Sequence, residues 1–148
     1  MAITTAMCTS FKQELLEARH NFLLSGGSAF KAALIKTSPA GTYDASTTNY
    51  SDVTGNSDEA SGTGYSAGGN TLTRVNPSTS GTTAFTDFAD TSWATSTISA
   101  RGLIIYNSDD SNSAVAVFDF GADKSSSGGT FSVVFPAADA TNAVIRIA

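Results

Sequence analysis

The chain contains one histidine, His20, and one cysteine, Cys8, the residue types most often used as catalysts and soft metal ligands. A Ser-His-Asp catalytic set would have to use His20, which comes near the end of a predicted helix, where an imidazole commonly caps carbonyls. A zinc site needs three or four His, Cys or carboxylate ligands, and these two residues supply too few. We therefore assign no catalytic, metal-binding or cofactor-binding residue and expect a protein that is not an enzyme. Cys8 is interpreted as a small, partly buried residue.

Two short segments are similar to ligand loops without completing either pattern. Residues 107–113, "NSDDSNS", offer Asp109 and Asp110 with several hydroxyl and amide oxygens, but their spacing differs from that of the EF-hand calcium loop. Residues 61–69, "SGTGYSAGG", carry the glycines of a phosphate loop, yet no lysine follows and no strong strand precedes them. We interpret both segments as turns, the second with glycines at positive backbone angles.

Arg101 lies between small residues in the most apolar part of the chain. An arginine in that position needs a carboxylate partner, and Asp87, Asp90 and Asp119 are the candidates for a desolvated ion pair. The alternative is a contact with a neighbouring subunit. We favour the structural ion pair, because lone arginines in sheet domains usually need only a partner.

The composition favours a β domain. The 148 residues include 21 Ser, 20 Thr, 22 Ala and 13 Gly, so half of the chain is small residues, while only 14% of the residues are charged. Such a composition suits closely packed strands joined by polar turns and suits a helical bundle poorly. The length is that of a single domain with one sizeable core.

The charge balance and hydropathy exclude several kinds of partner. Thirteen acidic and eight basic residues give a net charge of −5 without a basic cluster, so nucleic acid is not an expected partner. No apolar stretch approaches the roughly 20 residues that span a bilayer, and "MAITTAMCTS" lacks the features of a signal peptide. We therefore expect no membrane partner and synthesis in the cytoplasm.

The first 36 residues predict an arm, a helix and a strand. Residues 1–9 carry no charge and form an N-terminal arm ahead of the single β-rich domain, residues 10–148. Ser10 and Gln13 match a capping box, and apolar residues follow at helical spacing, which predicts one amphipathic helix from Ser10 towards His20. Residues 28–36, "SAFKAALIK", predict the first strand.

Residues 40–80 form a long loop region with few aliphatic residues and three tyrosines, Tyr43, Tyr50 and Tyr65. Within it, "NYSDV" and "NTLTRV" are candidates for short edge strands. A long loop region of this kind usually marks an exposed functional surface, so we expect the tyrosines to be available for interaction.

The back half of the chain predicts regularly spaced strands separated by turn clusters. This spacing is typical of a mainly β fold, an antiparallel β-sandwich or barrel-like domain to which the N-terminal helix is added. Trp93, Phe85 and Phe88 are predicted to fill one core layer, and Gly102 suits a bulge or bend with a positive φ angle. The full set of predicted structural core residues is Phe85, Phe88, Trp93, Arg101, Gly102, Phe118 and Phe131.

Five stretches together resemble a family of small virion structural proteins of tailed bacteriophages. These are "MAITTAMCTSFKQELLEARHNF", "GTGYSAGGNTLT", "DFADTSWATSTISARGLIIYN", "AVAVFDFGADK" and "FPAADATNAVIRIA", which span nearly the whole chain. The resemblance is strongest to a capsid decoration, or cement, protein, and it brings no catalytic residues. It implies a location on the outer capsid surface after synthesis in the host cytoplasm. The implied partners are the major capsid protein and copies of this chain in a homo-oligomer, for which a trimer is one form.

In that setting we expect the arm to be mobile in an isolated chain and to become ordered by backbone pairing with a neighbouring subunit. The alternative function is a module of the tail or a fibre that binds host glycans through the faces of the three tyrosines. A third hypothesis, a hydrolase that uses His20, has less support. The expected interaction residues are Ile3, Thr5, Met7, Phe11, Tyr43, Tyr50 and Tyr65.

Overall fold

A computed structural model describes residues 2–148. The helices are α1 (Thr9–Leu16) and α2 (Ser51–Gly55). The strands are β1 (Ala2–Ile3), β2 (Ala6–Met7), β3 (Phe30–Ile35), β4 (Thr42–Tyr43), β5 (Gly62–Thr63), β6 (Asn70–Thr71), β7 (Arg74–Ser80), β8 (Thr83–Phe88), β9 (Thr91–Asn107), β10 (Ser113–Ser125), β11 (Gly129–Val133) and β12 (Ile145–Ile147). The chain is mainly β and its sheets are antiparallel apart from the β1–β4 pair, which confirms the predicted fold class, although no sheet closes into a barrel.

Strand β9 organises the fold. Its 17 residues extend over about 56 Å, and the strand belongs to the seven-stranded sheet. Its second half pairs with β3 on one side and β10 on the other, and its first half pairs with β5 and β11. Residues 102–107 are all buried, whereas residues 92–100 mostly alternate between exposed and buried. The first half of β9 therefore forms a ribbon at the surface, and its second half lies in the centre of the core.

A cluster of phenylalanines joins this sheet to the three-stranded sheet β12-β8-β7. The rings of Phe22 and Phe30 stack with centroids 4.4 Å apart. Phe88 of β8 lies 5.6 Å from Phe30 and 6.0 Å from Phe135. This aromatic layer between the sheets is the sandwich core that the composition predicted.

The buried aromatic residues among those predicted belong to one continuous core but to two separate groups of ring contacts instead of one layer. Phe88, Trp93 and Phe131 are buried as predicted, but Trp93 packs against Tyr65 and Phe131, away from the phenylalanine layer. Phe85 and Phe118 are only partly buried; Phe118 packs against the core, whereas Phe85 does not belong to it and its assignment is wrong. Neighbouring residues of a strand point to opposite faces, and Phe85 lies on the face of β8 opposite to that of Phe88.

The helix predicted from Ser10 begins one residue earlier and ends at Leu16. Cys8 occupies the N-cap position, and no side chain caps the helix; the Ser10 hydroxyl has no hydrogen-bond partner within residues 2–148. The capping-box prediction is therefore wrong. A second error concerns "NYSDV", which forms helix α2 and not an edge strand.

The N-terminal arm lies against its own chain. β1 pairs in parallel with β4, and β2 pairs with β10. Ile3 is buried, and the Cys8 N–H donates to the Val115 carbonyl at 2.9 Å. The prediction of an arm that is mobile until it meets a neighbouring subunit is wrong, because the sheet edges of the chain itself already pair with it.

The four arm and helix residues expected to make interactions differ in exposure. Ile3 and Phe11 belong to the core, so neither presents a contact surface. Met7 is partly buried. Thr5 is exposed, but its hydroxyl accepts a hydrogen bond from the Asp119 N–H at 2.9 Å.

Gly102 is required for a reason other than the one predicted. It lies within the continuous strand β9 and its φ angle is not in the left-handed region. A Cβ atom at Gly102 would lie 2.2 Å from the Phe118 carbonyl oxygen and 2.9 Å from Ile3 Cδ1. The bulge lies in the partner strand, where the register shifts between Asp119 and Lys124.

We expect Gly102→Ala to lower the free energy of unfolding by about 1–3 kcal/mol, because the methyl group forces β10 and the arm away from β9. Gly129→Ala is the matched control, since a Cβ there meets nothing within 4 Å and the φ angle is ordinary. Urea denaturation of both variants measures the difference. Equal stabilities would contradict the close approach at Gly102.

Candidate functional site

His20 is enclosed in the core beside helix α1. Its side chain has no exposed surface, and its ring lies 4.9 Å from Phe11 and 6.2 Å from Phe30. Nε2 lies 2.7 Å from Glu14 Oε2, and Nδ1 lies 2.9 Å from Asn107 Nδ2. Both ring nitrogens are therefore engaged by side chains of the same chain.

The hydrogen bonds of Asn107 determine which nitrogen of His20 carries the proton. The Asp109 N–H donates to Asn107 Oδ1 at 3.0 Å, so the Asn107 amide group faces His20 as a donor. Nδ1 must accept that hydrogen bond, and Nε2–H must donate to Glu14. In this tautomer the Nε2 lone pair is not available to a metal, and Nδ1 faces an amide instead of a nucleophile.

Glu14, His20 and Asp110 bring three potential ligand atoms within 4.8 Å of one another. The cation that they hold is Arg19, whose guanidinium lies 2.9 Å from Asp110 Oδ2 and 3.5 Å from Glu14 Oε1. Burial alone would raise the pKa of Asp110, but hydrogen bonds from Ser113 and Arg19 outweigh it and lower the pKa below 3.8. The cluster ties the end of α1 to the β9–β10 turn.

The acidic turn considered for calcium uses its carboxylates within the chain. Asp109 Oδ2 accepts a hydrogen bond from the Ala29 N–H at 2.7 Å, and Asp110 pairs with Arg19. Residues 108–112 form a turn, as predicted, and Ser111 and Asn112 in it have positive φ angles. Asp109 therefore ties the turn to the start of β3, and Asp110 ties it to the segment that follows helix α1.

Asp58 is a fully buried carboxylate that organises the long loop region. It accepts hydrogen bonds from the Tyr43 hydroxyl at 2.6 Å and from two backbone N–H groups, of Ala40 and Gly41, at 2.9 and 2.8 Å. Lys36 Nζ lies 3.1 Å away. Burial alone would raise its pKa, but these four donors outweigh burial and hold the pKa of Asp58 well below its usual 3.8.

Glu59 collects the other two tyrosines of the loop region. Tyr50 and Tyr65 donate to its two carboxylate oxygens at 2.5 and 2.7 Å, and the Gly68 N–H donates at 2.6 Å. Tyr50 also stacks on Tyr106 with ring centroids 4.5 Å apart. Burial, followed by the hydrogen bonds to Glu59, raises the pKa of both Tyr50 and Tyr65.

The expectation that these tyrosines form an interaction surface is therefore wrong. Tyr43 is buried, and Tyr50 and Tyr65 are partly buried with Tyr106 and Trp93 against their rings. Aromatic recognition of a sugar needs an open ring face. The signal that sequence analysis missed is the acidic pair at residues 58–59, the only adjacent acidic residues among the three tyrosines.

Arg101 pairs with Asp119, one of its three predicted partners, at 2.9 Å, and lies 3.8 Å from Asp123. The side chain is 37% exposed, so the pair is not desolvated and the prediction of a buried ion pair is wrong in that respect. These three residues line one side of a cavity of about 420 Å³, and Ala2 and Ile3 of the arm line another. The ion pair therefore links β9 to β10 at the bulge, beside the arm.

The largest exposed apolar residues lie in a region that sequence analysis did not select. Leu16 is 91% exposed, Ile147 is 59% exposed, and Leu23 and Leu24 are about half exposed. Ile147 lines a groove of about 130 Å³ together with Leu15, Phe22, Pro77, Phe85 and Ile145, and Leu16 and Leu23 directly follow Leu15 and Phe22 in the chain. The name Leu16 surface is used for Leu16, Leu23, Leu24 and Ile147 together with the residues that line this groove.

Arg74 holds the loop that carries Leu23 and Leu24 by donating to the carbonyls of Leu23, Leu24 and Ser28. The Leu24 N–H also donates to Asn76 Oδ1 at 2.7 Å. The available sequence signal was Leu16 itself, an apolar residue outside the apolar face of the predicted helix. Exposed aliphatic side chains beside an apolar groove are typical of surfaces that bind another protein.

In residues 2–148 neither helix has the length and hydropathy needed to cross a membrane. Comparisons with protein-family models, with curated proteins and with solved structures found no match to this chain.

Proposed function

We propose that this protein is a structural component of a tailed-bacteriophage virion that decorates the outer surface of the capsid. The observation that carries the proposal is the Leu16 surface, where four large aliphatic side chains are at least half exposed. Such side chains gain free energy when a partner covers them, about 25 cal/mol per Å² of apolar area removed from water. The five stretches that resemble small virion proteins indicate the kind of partner.

The mechanism is passive association. One copy contributes a modest contact, and a lattice of capsid subunits presents the same binding site many times. A protein that binds the assembled shell but not its separate subunits stabilises the shell by mass action. The net charge of −5 favours the outer surface over the interior, where packaged nucleic acid would repel the protein.

The tail or fibre alternative relied on tyrosines with open ring faces. Tyr43 is buried and Tyr50 stacks on Tyr106, so this source of support is lost. Copy number distinguishes the two locations. Quantitative mass spectrometry of purified virions should give an abundance close to that of the major capsid protein, whereas an abundance typical of tail components would contradict the proposal.

Removing the exposed aliphatic groups should weaken capsid binding without unfolding the protein. We expect the double variant Leu16→Gln and Leu23→Gln to bind undecorated capsids at least about tenfold more weakly, a loss of about 1.4 kcal/mol. Because these side chains are exposed, stability should change by no more than about 0.5 kcal/mol per site.

Gln13→Ala on the same helix is the control, and it should bind capsids like the parent protein. Cosedimentation with capsids and thermal denaturation provide the two measurements. Full occupancy of capsids by the double variant would exclude the Leu16 surface as the contact.

A further inference from the structure

Strand β11 has one unpaired edge that the rest of the sheet leaves open. Within residues 2–148 it pairs with β9 alone, through Gly129, Phe131, Ser132 and Val133. The strand contains no charged residue, no proline and no residue that blocks backbone pairing. A strand edge of this kind is a template for a further strand.

The other strands that end a sheet within residues 2–148 have two or three residues or are interrupted. The edge strands β2 and β6 have two residues each, and β12 has three. β7 is longer, but it contains Pro77 and a register shift between Val75 and Ser78. β11 is therefore the edge best suited to backbone hydrogen bonding with an added strand.

A groove of about 320 Å³ runs beside this edge. Phe120 and Phe131, whose ring centroids are 6.3 Å apart, contribute aromatic walls, and Thr130, Ser132 and Lys124 contribute polar groups. Val134, at the end of the strand, is 75% exposed. The groove combines an apolar floor with polar groups at its rim, as peptide-binding grooves do.

Lys124 gives the groove its charge. It is the one charged residue among those that line the groove, and it forms no ion pair with any described residue. Asp123, its neighbour, is directed towards Arg101. An acidic group is the complement that Lys124 lacks.

We propose that the β11 edge and its groove, defined by Phe120, Lys124 and residues 129–134, bind an extended acidic peptide segment of another protein. The segment adds a strand to β11, places an apolar side chain against Phe120, and pairs a carboxylate with Lys124. Main-chain hydrogen bonds give affinity and the groove gives selectivity. This site is separate from the Leu16 surface and does not depend on the capsid proposal.

The test uses the full-length protein and a displayed library of short random peptides. We expect selection to enrich peptides that alternate apolar and polar residues and carry an acidic residue at one position. In hydrogen-exchange measurements, bound peptide should protect those backbone amides of β11 that do not already donate to β9. Lys124→Glu should weaken binding at least about tenfold, and a peptide with lysine in place of the acidic residue should restore it.

Lys12→Glu is the matched control, because Lys12 is also exposed and also forms no ion pair with described residues. This variant should bind the selected peptides like the parent protein. The proposal is overturned if no peptide is enriched, if enriched peptides lack an acidic residue, or if Lys124→Glu binds them unchanged. Self-association through β11 that excludes peptides would overturn it as well.

Discussion

Asp58→Asn is expected to lower the free energy of unfolding at neutral pH by about 3–5 kcal/mol. Each carboxylate oxygen of Asp58 accepts from two donors. In Asp58→Asn the NH2 group replaces one of these oxygens, so in either orientation of the side chain a new donor faces two existing donors. Leaving buried donors without acceptors costs about 1–3 kcal/mol for each group. Lys36 also loses its counter-charge.

The pH dependence of this contribution follows from the lowered pKa of Asp58. A carboxyl group with a lowered folded-state pKa contributes stability that is fully present above its unfolded-state value of 3.8. That contribution is lost as the pH falls below 3.8. Urea denaturation of the parent protein and Asp58→Asn should therefore give a difference that is constant near neutrality and shrinks in acid.

Asp87→Asn is the matched control, because Asp87 is also fully buried but forms no ion pair with any residue that the structure describes. Its Oδ1 accepts from the Phe88 N–H at 2.8 Å, and within residues 2–148 the Val144 backbone is the only other group whose hydrogen bonding lowers its pKa. Burial raises the pKa of Asp87, and the nearby Asp90 and Asp139 add to the increase. Ionised Asp87 therefore destabilises the fold as the pH rises above 3.8.

We expect Asp87→Asn to equal or exceed the parent protein in stability at neutral pH, and Asp58→Asn to fall well below it. Two buried carboxylates of the same type would then have opposite effects. Equal losses for the two variants would show that burial alone, and not the donor set, governs both sites.

Trp93→Ala is expected to lower the free energy of unfolding by about 3–5 kcal/mol, enough to threaten folding of a domain this small. Trp93 is 4% exposed and lies with its ring centroid 5.7 Å from that of Tyr65 and 6.1 Å from that of Phe131. Its removal leaves a cavity beneath the surface half of β9, where few other large side chains can move in.

Trp93→Phe separates loss of volume from loss of a hydrogen bond. The buried Nε1–H has no partner within residues 2–148, so phenylalanine gives up no hydrogen bond and keeps an aromatic ring beside Tyr65. Its loss of stability should be much smaller than that of alanine. Circular dichroism is the appropriate measurement, since both variants lack the only tryptophan; an unchanged melting temperature for Trp93→Ala would remove this residue from the core.

Much of the fold follows from local patterns that the sequence displays directly. Alternating and apolar segments located the strands of the back half, because a period of two places side chains on opposite faces. The helix near the start was predicted from its apolar spacing, with an error of one residue at its beginning and about one turn at its end, since it stops at Leu16 and not near His20. Asp119 was among the predicted partners of Arg101 because a half-buried cation requires a carboxylate.

The candidate sites were not accessible in the same way. A polar segment predicts that Tyr43, Tyr50 and Tyr65 are exposed. In the structure their hydroxyl groups donate hydrogen bonds to Asp58 and Glu59 within the fold. Composition describes a segment as a whole, whereas burial depends on which acceptors lie within reach after folding.

The sequence by itself determined the class of fold, the approximate places of the strands and the low content of charged residues, because these depend on residue type and short-range spacing. Only the tertiary structure decided that the arm pairs with its own chain, that Leu16 and Ile147 are exposed, and that β11 keeps an open edge. Each of these depends on contacts between residues far apart in the chain, which local periodicity does not encode.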